Sequence, residues 1–82
     1  MGWNYRILAK ICSNDEVSFG VYSVYYDENG KPDGYSANPV EMSAEDIEYI
    51  RFDLDKMKEA LDKPVLWEGE RFPEEYKENY GK

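Results

Sequence analysis

"VSFGVYSVYYDENGKPDGY", Val17 to Tyr35, is the stretch on which the fold turns. Its β-branched and aromatic residues, closed by a run of turn formers, describe a strand that runs into a hairpin. The phase of that strand is divided. Val17, Phe19 and Val21 share one parity, whereas Tyr22, Val24 and Tyr26 share the other. Either Gly20 marks a bulge that shifts the register, or both faces of the strand are partly apolar. The choice decides which side of the sheet is core and which meets solvent.

Beyond Tyr26, "DENGKPDG" holds two turn dipeptides, Asn29-Gly30 and Asp33-Gly34. "YSANPV" then reads as a short third strand, with Pro39 placing it near an edge or a strand end. Upstream, "WNYRILAKI" alternates Trp3, Tyr5, Ile7, Ala9 and Ile11 against Asn4, Arg6, Leu8 and Lys10. That period of two describes a strand with one buried face, and "SNDE" is the polar turn that follows it.

Downstream the pattern changes to a helix. Ser43 is the expected cap, Asp46 completes an S-x-x-D box, and Met42 is placed to staple onto Ile47. Ile47, Ile50, Leu54, Met57 and Leu61 recur at alternating three- and four-residue spacing, which is one continuous apolar stripe. Lys63-Pro64 ends it. "VLWEGE" returns as a fourth short strand or as an extended segment over the core. From Arg71 the chain is polar, and Pro73 either opens one helical turn or leaves a frayed end.

The expected fold class is therefore α+β: a three- or four-stranded antiparallel sheet with the helix 43–62 packed on one face. Residues 1–66 are expected to form the single domain and 67–82 a polar C-terminal tail, partly ordered at most.

Charge narrows the function classes. Among 82 residues, 18 acids outnumber 10 bases, so the net charge is −8, and there is no histidine. Residues 1–40 carry −2 of this and 41–82 carry −6. Such a surface repels phosphate backbones, which argues against direct nucleic-acid binding, and it is attracted to basic protein surfaces. Acidity also serves plain solubility. Cys12 is the only cysteine, leaving no intramolecular disulfide and no thiolate metal cluster. The first ten residues lack a signal-peptide pattern, and no apolar run reaches membrane-spanning length, so a cytoplasmic location is expected.

The loop from Asp27 fails as a calcium site. An EF-hand loop needs glycine at its sixth place and glutamate at its twelfth, which here hold Pro32 and Asn38. Without histidine, a catalytic base would be a carboxylate, lysine, tyrosine or Cys12, and no spacing singles one out. No enzyme activity, metal or other cofactor is expected.

The placement of aromatic residues says more. On a helical wheel Phe52 lies opposite the apolar stripe, flanked by Glu45, Glu48, Lys56 and Glu59, with Tyr49 at the margin. Either the tail covers Phe52 through Trp67, Phe72 or Tyr76, or Phe52 is a binding anchor ringed by acids. If the helix covers the face of Val17, Phe19 and Val21, then Tyr22, Val24 and Tyr26 lie on the open face with Leu8. An open tyrosine face suits a protein partner or a second copy of the chain. The candidate partner-binding residues are accordingly Glu45, Glu48, Phe52, Glu59, Tyr22 and Tyr26.

The runs "WNYRI", "VYSVYYDENGKPDGYSANPV" and "LDKMKEALDKPVL" together resemble a group of small bacterial proteins of no established function, across most of residues 3–66. That resemblance implies a bacterial or phage cytoplasmic origin and no particular activity. Asp33-Gly34-Tyr35 before an acid-rich helix also resembles HicB-type antitoxins, which implies a shared β-β-β-α topology. The P-G-C/D strand pattern of that family is absent here.

The expected function is that of a non-enzymatic interaction protein that inhibits or regulates a partner with a basic surface. A phage anti-defence inhibitor of the anti-CRISPR kind and an antitoxin-like regulator both fit. The alternatives are a small-molecule-binding or carboxylate-based catalytic domain near the 27–33 loop, and a structural homodimer subunit.

Overall fold

The computed structural model describes residues 2–41 and 43–77. Its elements run β1 (Gly2–Ile11), β2 (Val17–Tyr26), β3 (Pro32–Tyr35), α1 (Ile47–Lys58) and β4 (Leu66–Trp67). A 3₁₀ turn, Glu59–Asp62, extends α1, and another, Gly69–Arg71, follows β4. The strands form one four-stranded sheet in the order β3-β2-β1-β4. The expected α+β class holds, with the fourth strand present. β4 runs parallel to β1 through Leu8↔Leu66 and Ala9↔Trp67, so the sheet is mixed.

The question posed by Gly20 has a plain answer. β1 and β2 pair in unbroken antiparallel register from Gly2↔Tyr26 to Ile11↔Val17, with Gly20 opposite Leu8 and no bulge. Both faces of β2 are partly apolar. Gly20 meets a different need: a Cβ there would stand 3.2 Å from Cε1 of Tyr22 and 3.6 Å from the Pro39 ring. The missing side chain lets both rings lie close to the strand.

The first hairpin closes through Cys12, whose N–H donates to the Glu16 carbonyl at 2.7 Å. Asp15 adopts a positive φ of 66° there, a conformation that Asp tolerates better than most residues. In the second loop the Asp27 carboxylate accepts from the N–H groups of Asn29 and Lys31, at 2.8 and 3.0 Å. Gly30 supplies the positive φ of 81° that the turn requires. These bonds, led by the one from Lys31, hold the Asp27 carboxyl below its ordinary range.

The turn is complete before Pro32, so Asp33-Gly34 is not a second turn, as its composition suggests. It lies in β3, where Tyr25↔Gly34 and Tyr26↔Pro32 leave Asp33 as an extra, bulged residue. "YSANPV" is correspondingly irregular beyond Tyr35, although Ser36 and Val40 still donate to the Ser23 and Val21 carbonyls.

The core lies on the side of the sheet opposite to the one that alternation in β1 suggests. Leu8, Tyr22, Val24 and Leu66 form it, with Tyr26, Tyr35 and Phe72 packed against them. Leu8 and Val24 are 0 % exposed, and burying a side chain of that kind contributes about 1.5–3 kcal/mol. The expected open tyrosine face is thus the buried one. On the other face Ala9 and Trp67 are buried as well, while Trp3, Ile11, Phe19 and Tyr25 are exposed.

The segment expected as a polar tail decides this. Phe72 packs on Tyr35 at 4.7 Å between ring centroids, and the Gly69 N–H donates to the Tyr35 hydroxyl at 2.8 Å. The strand therefore places Leu66 in the core, and the chain after it closes over Leu8, Tyr22 and Val24. Glu74 and Tyr76 then return antiparallel along β4: the Trp67 N–H donates to the Glu74 carbonyl and the Tyr76 N–H to the Val65 carbonyl. On the opposite face the Tyr76 ring stands edge-on to both Trp67, at 5.1 Å, and Phe19, at 5.4 Å. Packing and hydrogen bonding to the sheet therefore continue past Leu66 to Tyr76; residues 78–82 lie outside the described residues.

One polar row crosses the edge of the core. Arg6, only 8 % exposed, donates from Nη1 to the Tyr26 hydroxyl at 2.8 Å and from Nη2 to the Pro64 carbonyl at 2.7 Å. The Tyr26 hydroxyl in turn donates to Asn4 Oδ1 at 2.7 Å. The Arg6 guanidinium thus ties the chain beyond α1 to the middle of β1, while its buried Nε has no hydrogen-bond partner among the described residues.

Candidate functional site

Helix α1 begins three residues later than Ser43 as cap predicts. Asp46, in extended conformation at φ −134° and ψ 136°, caps it instead, and its carboxylate accepts from the Glu48 N–H at 2.9 Å. Asp and Ser are comparable caps, and a carboxylate gains further from the positive end of the helix dipole. Met42, expected to staple onto Ile47, lies outside the described residues. At the other end the 3₁₀ turn and an extended Lys63 precede Pro64, as the pre-proline restriction demands.

The helix buries none of its twelve residues. Ile50, Asp53 and Met57 are half-buried, and Ala60 in the following turn is fully buried. These four, at spacings of three and four, form the side turned toward the body of the protein. The apolar stripe is offset from that side. Ile47 is 73 % exposed, Leu54 52 % and Leu61 71 %. A shallow groove of about 300 Å³ between Ile47, Ile50, Arg51, Leu54 and Asp55 runs along it.

Where α1 approaches the start of β1, a cleft of about 400 Å³ opens between Trp3, Asn4 and Tyr5 on the strand and Phe52, Asp53 and Lys56 on the helix. Glu59 and Lys63 close its far end. The Trp3 and Tyr5 rings meet edge to face, with centroids 5.2 Å apart and planes at 82°. The Lys56 ammonium stands 5.5 Å over the Phe52 ring. Partial burial, reinforced by the negative charge of Asp53, raises the Tyr5 hydroxyl above its ordinary pKa. Comparison with family models, with curated proteins and with solved structures found no match.

The six residues expected to bind a partner separate into two groups. Glu45, Glu48, Phe52 and Glu59 are all exposed on or beside α1, with Phe52 59 % exposed. The tail does not cover Phe52, because Trp67, Phe72 and Tyr76 are engaged on the two faces of the sheet. Tyr22 is 5 % exposed and packs edge-on to Tyr35 at 5.9 Å in the core. Tyr26 is half-buried and spends its hydroxyl on Arg6 and Asn4. Closure of residues 66–72 over the Leu8 face takes Tyr22 out of solvent and leaves Tyr26 partly accessible.

The cleft residues Trp3, Tyr5 and Asp53 escape sequence reasoning. Alternation in β1 places the two aromatics in the core, and Asp53 resembles any other acid on a polar helix face. Among the described residues no cluster of acids and Cys12 is arranged to hold a metal ion, and no helix is long and apolar enough to cross a membrane.

Proposed function

We propose that this chain is a non-enzymatic interaction protein whose α1 surface binds a protein partner with a basic surface, and that binding inhibits or regulates that partner. The observation that carries this reading is the unburied helix. A twelve-residue helix with no fully buried residue, which carries Ile47, Phe52 and Leu54 in the open, has the composition of an interface before its partner arrives. Glu45, Glu48, Asp55 and Glu59 surround these apolar residues, and the whole chain stands at −8. Such a rim steers toward positive surfaces and supplies rate and register, while the buried apolar centre supplies most of the affinity. A groove that otherwise holds nucleic acid has the required sign. An anti-defence inhibitor of the anti-CRISPR kind and an antitoxin-like regulator are the two roles this chemistry suits.

The test is affinity capture from bacterial lysate with the wild-type chain, Phe52→Ala and Glu48→Lys, each at low and high ionic strength. A specific protein held by the wild type, lost with Phe52→Ala, weakened with Glu48→Lys and weakened by salt supports the reading. Equal capture by all three forms, or no specific capture by the wild type, overturns it.

A further inference from the structure

We propose that the β1–α1 cleft receives an arginine side chain of the partner, with the guanidinium stacked on the Trp3 indole beside Tyr5 and paired to Asp53. The proposal rests on the partner-binding reading and names the contact at its centre.

Charge counting alone selects no ligand here, because the cleft holds two carboxylates, Asp53 and Glu59, and two ammoniums, Lys56 and Lys63. Position selects one. The Lys56 cation is already seated over the Phe52 ring, so that aromatic face is taken within the chain. Among the described residues no cation stands over Trp3 or Tyr5, although their perpendicular rings form two walls of one corner. Trp3 is 58 % exposed, and tryptophan is the strongest aromatic partner for a cation.

Asp53 lines the cleft together with Trp3 and Tyr5, and its charge acts on the Tyr5 hydroxyl. Asp53 is half-buried and forms no salt bridge among the described residues. An unpaired carboxylate beside an exposed indole that carries no cation is complementary to a planar cation. Arginine is preferred over lysine because its guanidinium stacks on an aromatic face and presents a fork of donors to a carboxylate. A related pairing already exists elsewhere in the fold, where the Arg71 guanidinium lies 4.4 Å over Trp67. A pocket of about 400 Å³ is large enough for such a side chain.

The test uses three capped tripeptides that differ at the central residue: Gly-Arg-Gly, Gly-Lys-Gly and Gly-citrulline-Gly. Citrulline keeps the shape of arginine without its charge. The readout is the indole N–H resonance of Trp3, assigned with Trp3→Phe, with the Trp67 indole as an internal control for folding. Saturable movement of the Trp3 signal by the arginine peptide, roughly tenfold tighter than by citrulline, is expected. Asp53→Asn should reduce arginine binding several-fold while leaving the Trp67 signal in place.

Equal binding of citrulline, absence of any Trp3 response, or indifference to Asp53→Asn overturns the proposal. Equal binding of lysine overturns the choice of arginine. If the peptides fail while the lysate partner is still lost with Phe52→Ala, only this inference falls. If the peptides bind and no partner is captured, only the wider reading falls.

Discussion

The Leu8 face of the sheet and the apolar stripe of α1 are made from the same kinds of side chain and have opposite fates. Leu8 and Val24 are fully buried under Tyr35 and Phe72. Ile47, Leu54 and Leu61 carry as much apolar surface in better helical periodicity, and more than half of each remains in water. The difference arises from closure. The Leu8 face is sealed by residues 66–72, which are tied to β3 by the Gly69–Tyr35 hydrogen bond and to β1 by parallel pairing. The helix is fastened through its far end, where Ala60 is buried and Arg6 holds Pro64. Amphipathic spacing marks which residues can be buried together. It does not say that the chain has anything to bury them against.

The largest expected effect is on the closed side of this comparison. Leu8→Ala deletes a wholly buried side chain from the cluster it forms with Tyr22, Val24 and Leu66. The expected loss is about 2–5 kcal/mol. For a domain of this size, that lowers the thermal midpoint by at least about 10 °C. A midpoint within a few degrees of wild type would mean that the Leu8 face is not the core.

An intermediate effect belongs to the join between the two regions. Arg6→Lys keeps the charge and loses the planar fork that serves the Tyr26 hydroxyl and the Pro64 carbonyl together. One of these partly buried acceptors then loses its donor, at an expected cost of about 1 kcal/mol in urea unfolding. Because the bridge holds the helix end, amide exchange in α1 should quicken more than exchange in β2. Uniform quickening would show that Arg6 supports the sheet and does not anchor the helix.

Much of this architecture is legible in the sequence. The two long strands, the Asp27–Gly30 turn, the helix and its stop before Pro64 all follow from local patterns with a direct physical cause. The face of the sheet is not legible, because β1 offers five apolar residues on the side of Trp3 and only Leu8 on the other. Its choice is made by the partners in β2, Tyr22 and Val24, and by residues far along the chain. Leu66, Phe72 and Tyr76 are separated by Glu68, Glu70, Arg71, Glu74 and Glu75, so any average over the segment reads as polar. The candidate site was half visible for the same reason. Glu45, Glu48, Phe52 and Glu59 can be placed on a helix surface by counting, whereas the approach of Trp3 and Tyr5 to Asp53 exists only after the sheet has turned its other face inward.

The smallest expected change in stability is the one that sharpens the comparison most. Leu54→Ala removes the same atoms as Leu8→Ala, from a side chain already half in water on a helix that buries none of its residues. Alanine is also the better helix former, which offsets part of the lost contact with Ile47, Ile50 and Arg51. The expected change in folding free energy is below about 0.5 kcal/mol, measured in the same urea titration as Leu8→Ala. A loss comparable to that of Leu8→Ala would mean that the helix stripe is part of the core in solution, covered by something within the chain. Near-neutral stability together with lost capture of the partner would separate the two regions by role. The Leu8 face would then hold the fold together, and the α1 stripe would be apolar surface kept for another molecule.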